Sequence, residues 1–184
     1  MTPLPASFYE TDTISLARQL LGCILVSQIE GSTTSGIINE TEAYLADDPA
    51  SHSFKGQTPR NTAMFGPPGS AYVYRIYGLH WCVNVTSNQA GIGEAVLIRG
   101  LIPLEGIETM INRRSTSQHL CDGPAKLCQA LGITGNLNHH PLNQTPLFIT
   151  KKESPAEPDS LIIHTTPRIG ITKAVDAPLR FLLG

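Results

Sequence analysis

The stretch Ala71–Asn84, AYVYRIYGLHWCVN, constrains the fold of this chain more than any other. Tyr72, Tyr74 and Ile76 alternate with Val73, Arg75 and Tyr77, the two-residue period of a β-strand. Gly78 interrupts the run, and Trp81, Val83 and Val85 resume it. Two such runs around a glycine predict a β-hairpin with Tyr77, Leu79 and His80 at its tip. That tip admits two readings. One is a hairpin packed on its own domain with an ordinary aromatic core, the better reading for this stretch taken alone. The other is a wedge pushed between stacked bases, the use that minor-groove proteins make of apolar side chains.

The 184 residues predict one domain, spanning 1–184, with enough chain to bury a core. The longest apolar run, Leu20–Val26, is broken by Gly22, so no membrane span is expected. The N-terminal MTPLPASFYETDT lacks the basic start and apolar stretch of a secretory signal, and a cytoplasmic location is the expectation. Cys23, Cys82, Cys121 and Cys128 form no CxxC pair and the histidines are scattered. Zinc-ligand spacing is therefore absent, and buried free thiols are expected. The formal charge of −2 weighs against a nucleic-acid partner unless Lys and Arg gather on one face.

Taken in order, Thr13–Leu21 predicts a helix with Ile14, Ala17, Leu20 and Leu21 on one face, capped within Thr11–Thr13 and stopped by Gly22. Cys23–Ile29 predicts a strand, Glu30–Ser35 a turn, and Gly36–Tyr44 a second strand. Glu40, Glu42 and Tyr44 alternate at its end and so share one face. That face is either a solvated side or a site, because a long loop follows. Leu45–Ser70 exceeds an ordinary connection and holds His52, Lys55 and Arg60. The run Thr58, Pro59, Arg60, Asn61 favours an ordered loop over a disordered insertion.

Gly93–Leu101 predicts a strand in which Arg99 stands among Val96, Leu97, Ile98 and Leu101. A charge in that company needs a partner or a polar ligand. Pro103–Arg114 predicts a helix with charges ordered for its dipole. Ser115–Leu120 is a link, and a further helix runs from Pro124 to a stop at Gly132. Gly123 and Lys126 at its start suit a phosphate seat about as well as a plain capped helix. Residues 133–146 read as loop. Phe148, Ile162, Ile169, Ile171 and Phe181 mark three or four short final strands, with Arg168 and Gly170 able to bring backbone close to a site.

The motifs NETEAY, AxHS, QTPRN, PGxxYVYxIYG, CxNV, LIRGLxPLEG, CDGPAKLCQALGI and PRIGI occur in this order. With them the chain resembles the alkyladenine (3-methyladenine) DNA glycosylase family, as a bacterial member, over about residues 10 to 183. The resemblance implies a mixed α/β (α+β) fold: one domain with a curved, mainly antiparallel sheet, surrounding helices and a hairpin that enters DNA. It implies a monofunctional enzyme that flips a damaged purine from double-stranded DNA and leaves an abasic site. No metal or organic cofactor is implied, and a monomer is the default.

By the same resemblance Glu42 is the catalytic carboxylate, acting as general base on a water that attacks C1′. Arg99 and the carbonyl of Ile169 complete the water site, and no lysine amine matches in the site. Tyr44, His52, Tyr72 and Tyr74 surround the flipped base, where electron-rich rings suit a cationic purine. Asn84 excludes the 2-amino group of guanine. Tyr77 intercalates with Leu79 and His80 beside it, and Lys126, Gly123 and Arg60 meet phosphates. Two other functions are weighed against this one: a DNA binder without catalysis, and a hydrolase of free nucleosides.

Overall fold

The computed structural model describes residues 1–151 and 162–184. Helix α1, Thr13–Gln19, starts where the Asp12 carboxylate accepts the Ser15 N–H at 2.9 Å, a side-chain cap inside the expected window. Strands β1 (Ile24–Ile29) and β2 (Ser32–Tyr44) follow. The expected turn over Glu30–Ser35 contracts to Glu30 and Gly31, both at positive φ, because Ser32–Ser35 pair with Val26–Ile29.

The hairpin forms from β3 (Ala71–Ile76) and β4 (His80–Thr86), with Ile76 paired to His80. Tyr77 and Gly78 sit at φ 52° and 70°, and the Leu79 N–H donates to the Ile76 carbonyl at 3.1 Å. That is the primed turn whose twist matches its strands. Arg75 lies 4.5 Å over the ring of its cross-strand neighbour Trp81, stiffening the arm.

Strand β5 (Ala95–Glu105) is longer than expected, and α2 (Ile107–Arg114) begins four residues later than Pro103. The pairing of Ile102 with Ile37 and of Pro103 with Gly36 extends the sheet through the segment read as a helix start. Helix α3, Pro124–Leu131, ends at Gly132 as predicted. Strands β6 (Asn143–Gln144), β7 (Leu147–Thr150), β8 (Ile163–Thr166) and β9 (Arg180–Leu183) finish the chain. Ile169 and Ile171 lie in loop rather than strand, which corrects the reading from β-propensity.

The strands make one curled sheet, ordered β3-β4-β5-β2-β1-β7-β6, with β9 also on β2 and β8 on β9, all antiparallel. The three helices pack on it, α1 against β2 and β5, α3 against β4 and β5, and α2 against α3. Between sheet and helices lie Leu16, Leu20, Ile38, Val83, Val96, Ile98, Leu127, Leu131 and Phe181. All four cysteines are buried and unbridged. Among the described residues no helix is long and apolar enough to cross a membrane.

One irregularity in β2 positions everything that follows. Ile38 pairs with Leu101 and Glu40 with Gly100, so Asn39 is an extra residue; Thr41 then pairs with Ile98, leaving Arg99 extra on β5. A bulge flips the alternation of both strands. Ile38 packs in the core, and beyond the bulge Thr41 and Ala43 take over its face, with the Thr41 hydroxyl on the Ala17 carbonyl of α1 at 2.9 Å. Glu40, Glu42 and Tyr44 are thereby turned to the opposite face of the sheet.

Candidate active site

On that opposite face β3, β4 and β5 present Tyr72, Tyr74, Asn84, Leu97 and Arg99 to a cleft of about 570 Å³. The cleft is floored by strands and walled by two loops, 45–70 and 167–177. The first loop is ordered, as its sequence suggested. Asn61 is its brace: its side-chain amide donates to the His52 and Gly56 carbonyls at 2.8 and 3.0 Å and accepts the Thr58 N–H at 2.6 Å. This delivers His52 onto the tyrosines. The His52 Nδ1 and the Tyr72 hydroxyl are 2.9 Å apart, and the His52 ring meets the Tyr74 ring edge-on at 4.6 Å. Burial first, and then the Arg60 charge, lower the His52 pKa, so the imidazole is neutral near pH 7. Burial raises the Tyr72 hydroxyl to about 12 and holds Tyr74 well above the ordinary tyrosine range.

Glu42 is fully buried, and a buried carboxylate must be met by donors. Its Oε2 accepts the Tyr44 hydroxyl at 2.8 Å and its Oε1 accepts the Ile169 N–H at 2.9 Å. Arg99 Nε is 3.5 Å from the same Oε1 and 2.9 Å from Glu40 Oε1, which also takes Arg180 Nε at 2.6 Å. Arg99 thus finds the partner that its apolar neighbours required. Burial, reinforced by the Glu42 charge, raises the Tyr44 hydroxyl far above its usual range and keeps it a donor. Glu42 does not line the cleft; Tyr44, Arg99 and Ile169 line it and cover Glu42.

The expected base pocket is brought together: Tyr44, His52, Tyr72, Tyr74 and Asn84 surround one space, with the Asn84 amide fixed on the Tyr72 carbonyl at 3.0 Å. Tyr77 stands at the rim, 86% exposed, with Leu79 at 76% and His80 also exposed. Arg60 lines the cleft, 6.0 Å from the Tyr74 ring centroid and 3.3 Å from the Arg75 carbonyl. Lys126 and Gly123 stand outside the cleft at the start of α3, and Lys126 is tied to Asp122 at 2.7 Å. Ile169 meets Glu42 through its N–H.

Sequence reasoning missed Lys173, and Asp48 as the side-chain partner of Arg168, whose backbone alone was expected near a site. Lys173 lines the cleft, although no lysine was expected in the site. Asp48 and Arg168 form an ion pair behind Tyr44, and nothing in the pattern of an Asp-Pro turn signals such a partner 120 residues away.

Residues 7–184 match the family model described as methylpurine-DNA glycosylase. The chain belongs to that family. It is 54% identical over 98% of its length to a protein of Methanoculleus marisnigri named as a candidate 3-methyladenine DNA glycosylase, covering 94% of that relative. Proteins of Agrobacterium fabrum and Rhodopseudomonas palustris with the same name are 48% and 50% identical over 97% of this chain, covering 87% and 86% of their own lengths. The enzyme is accordingly a DNA glycosylase, a hydrolase of N-glycosyl bonds in base-excision repair. In the glycosylase the cleft has aromatic walls, and the buried Glu42 carboxylate lies behind Tyr44, Arg99 and Ile169, which line it.

Proposed function

We propose that this glycosylase flips 3-methyladenine and related damaged purines, 7-methylguanine, hypoxanthine and ethenoadenine among them, out of double-stranded DNA and hydrolyses the glycosidic bond with a water activated by Glu42. The observation that carries the reading is the layering of Glu42 directly behind the walls of an aromatic cleft that has a tyrosine at its rim. A base inside a duplex exposes no C1′ to water, so extrusion comes first. Tyr77 would fill the vacated stack, with Leu79 and His80 at the same tip.

Inside the cleft a cationic purine meets Tyr44, Tyr72 and Tyr74, whose hydroxyls stay neutral, and a neutral His52. None repels it, and the ring faces attract it. Asn84, fixed on Tyr72, restricts the space available to a 2-amino group. As the glycosidic bond breaks, its electron pair leaves with the purine and positive charge builds on the sugar. Glu42 takes a proton from the water as its oxygen bonds C1′. The products are an abasic site and the base: a cationic purine leaves neutral and the proton held by Glu42 passes to solvent, whereas a neutral purine leaves as an anion and takes up an equivalent proton. Glu42 keeps the Ile169 N–H and the Tyr44 hydroxyl on its two oxygens, and Arg99, which lines the cleft beside them, is placed to hold the water. Lys126, Gly123 and Arg60 are assigned to phosphates of the duplex.

The test is single-turnover excision from duplexes carrying hypoxanthine, ethenoadenine or 7-methylguanine. Glu42→Gln is expected to lower the rate by roughly 10² to 10⁴-fold, the usual worth of a general base, with lesion binding retained. Tight binding without release by the wild type would instead describe a damage binder. Release from nucleosides that survives Tyr77→Ala would describe a nucleoside hydrolase.

A further inference from the structure

The Asp48–Arg168 pair is the most deeply buried charge pair among the described residues, with side chains 4% and 0% exposed. Arg168 holds both Asp48 oxygens, Nη2 to Oδ1 at 3.1 Å and Nη1 to Oδ2, and its Nη1 also donates to the Ala43 carbonyl at 3.0 Å. Its guanidinium lies 4.6 Å over the Tyr44 ring. Its Nε is buried without a partner among the described residues.

Such a pair is a poor device for stability alone. Desolvating two ions and orphaning one N–H costs free energy that a well-packed apolar pair would not incur. What it can do is fix geometry. Asp48 belongs to the loop that carries His52, and Arg168 immediately precedes Ile169, whose N–H holds Glu42 Oε1. The pair therefore ties the loop of the base pocket to the loop of the carboxylate, across Tyr44, which itself donates to Glu42 Oε2. A fork with several donors sets orientation as well as distance, which a lysine at this position would not.

We propose that Asp48 and Arg168 are positioning residues, a clamp that holds the Ile169 amide on Glu42 and so aligns the carboxylate. They touch neither base nor sugar. This rests on the reading of Glu42 as general base. The clamp is expected to act on the chemical step and to leave capture of the lesion almost unchanged.

The experiment compares wild type, Asp48→Ala, Arg168→Lys and the milder Asp48→Asn, which keeps the shape of the side chain. Three quantities are read: single-turnover excision of hypoxanthine, affinity for the same duplex, and hydrogen exchange of the Ile169 amide against core amides such as Ile38. Each variant is expected to lose roughly 10- to 100-fold in rate with affinity within about threefold, the scale of a misplaced catalytic group. Ile169 is expected to lose protection while Ile38 keeps it. Asp48→Asn serves if the harsher variants fail to fold, and is expected to fall between them and wild type. Unchanged Ile169 protection, or a loss of affinity that matches the loss of rate, would overturn the clamp. A wild type without base release would sink the glycosylase chemistry instead, and the exchange data would then still decide whether the clamp holds the amide.

Discussion

Arg99 leans on Glu40 rather than on Glu42: its Nε is 2.9 Å from Glu40 Oε1 and 3.5 Å from Glu42 Oε1. Arg180 holds the same Glu40 oxygen, so two arginines and two glutamates balance in charge within one cluster. A guanidinium closed on a carboxylate occupies the oxygen that a water would need. Glu40 thus draws the cation away from Glu42 while leaving its field in place.

Glu40→Gln should therefore let Arg99 close on Glu42 and slow excision. The expected loss is roughly tenfold in single-turnover rate, smaller than that of Glu42→Gln, because the base is hindered rather than removed. An unchanged rate would show that Arg99 finds its place without Glu40.

Tyr77→Ala should leave stability within about 0.5 kcal/mol, because the side chain is 86% exposed and the substitution touches no core. Excision from duplex should fall, and excision from single strands should fall much less, because an unstacked base needs no wedge. Thermal unfolding and the duplex-to-single-strand rate ratio check both halves. Equal losses on both substrates would remove Tyr77 from the extrusion step.

His52 has a lowered pKa, by burial first and by Arg60 second, so protonation lies below the ordinary range near 6.5. The folded state binds fewer protons than the unfolded one there. Its contribution to stability is present above about pH 6.5 and is lost as pH falls through the folded value. In the cleft, protonated His52 beside Tyr72 and Tyr74, with Arg60 also lining the wall, repels a cationic purine. Excision of 7-methylguanine should drop at acid pH more than excision of hypoxanthine. His52→Gln should remove the difference between the two profiles.

Lys126 is engaged by Asp122, which also meets His119 at 2.5 Å, and the hydrogen bond from Lys126 is the leading cause that lowers the Asp122 pKa. A DNA phosphate at Lys126 would have to compete with this acid for the amine. Asp122→Asn should tighten binding to duplexes of any sequence and steepen its dependence on salt, while Lys126→Ala should weaken it and reduce the salt slope by about one. Titrations at several salt concentrations read both changes, and identical slopes in all three proteins would place this corner of α3 off the DNA face.

The elements were legible from local pattern. The two-residue period around Gly78 is enough to place a hairpin and to expose Tyr77, and Gly132 ends its helix, whereas the helix expected to run to Gly22 already ends at Gln19, with Leu20 as its C-cap. The run of Glu40, Glu42 and Tyr44 is enough to put three functional groups on one side of a strand. The helix expected from Pro103 failed because a proline tolerates an extended residue as readily as a first helical turn, and pairing with β2 decided the matter. The strands expected at Ile169 and Ile171 failed because β-propensity reports fit to a sheet, and among the described residues no strand pairs with them.

The sequence by itself determined which residues alternate, where the chain must turn, and which side chains could do chemistry. Only the tertiary structure decided which way those side chains face. The bulge at Asn39 and Arg99 reverses the alternation of β2 and β5 together, carrying Glu42 from the helix side to the cleft side. The Asp48–Arg168 pair, the hold of Ile169 on Glu42 and the choice of Glu40 by Arg99 are likewise contacts between distant segments. Periodicity is a property of neighbours along the chain. Register and ion pairing are settled by partners 59 to 127 residues away, which local pattern cannot encode.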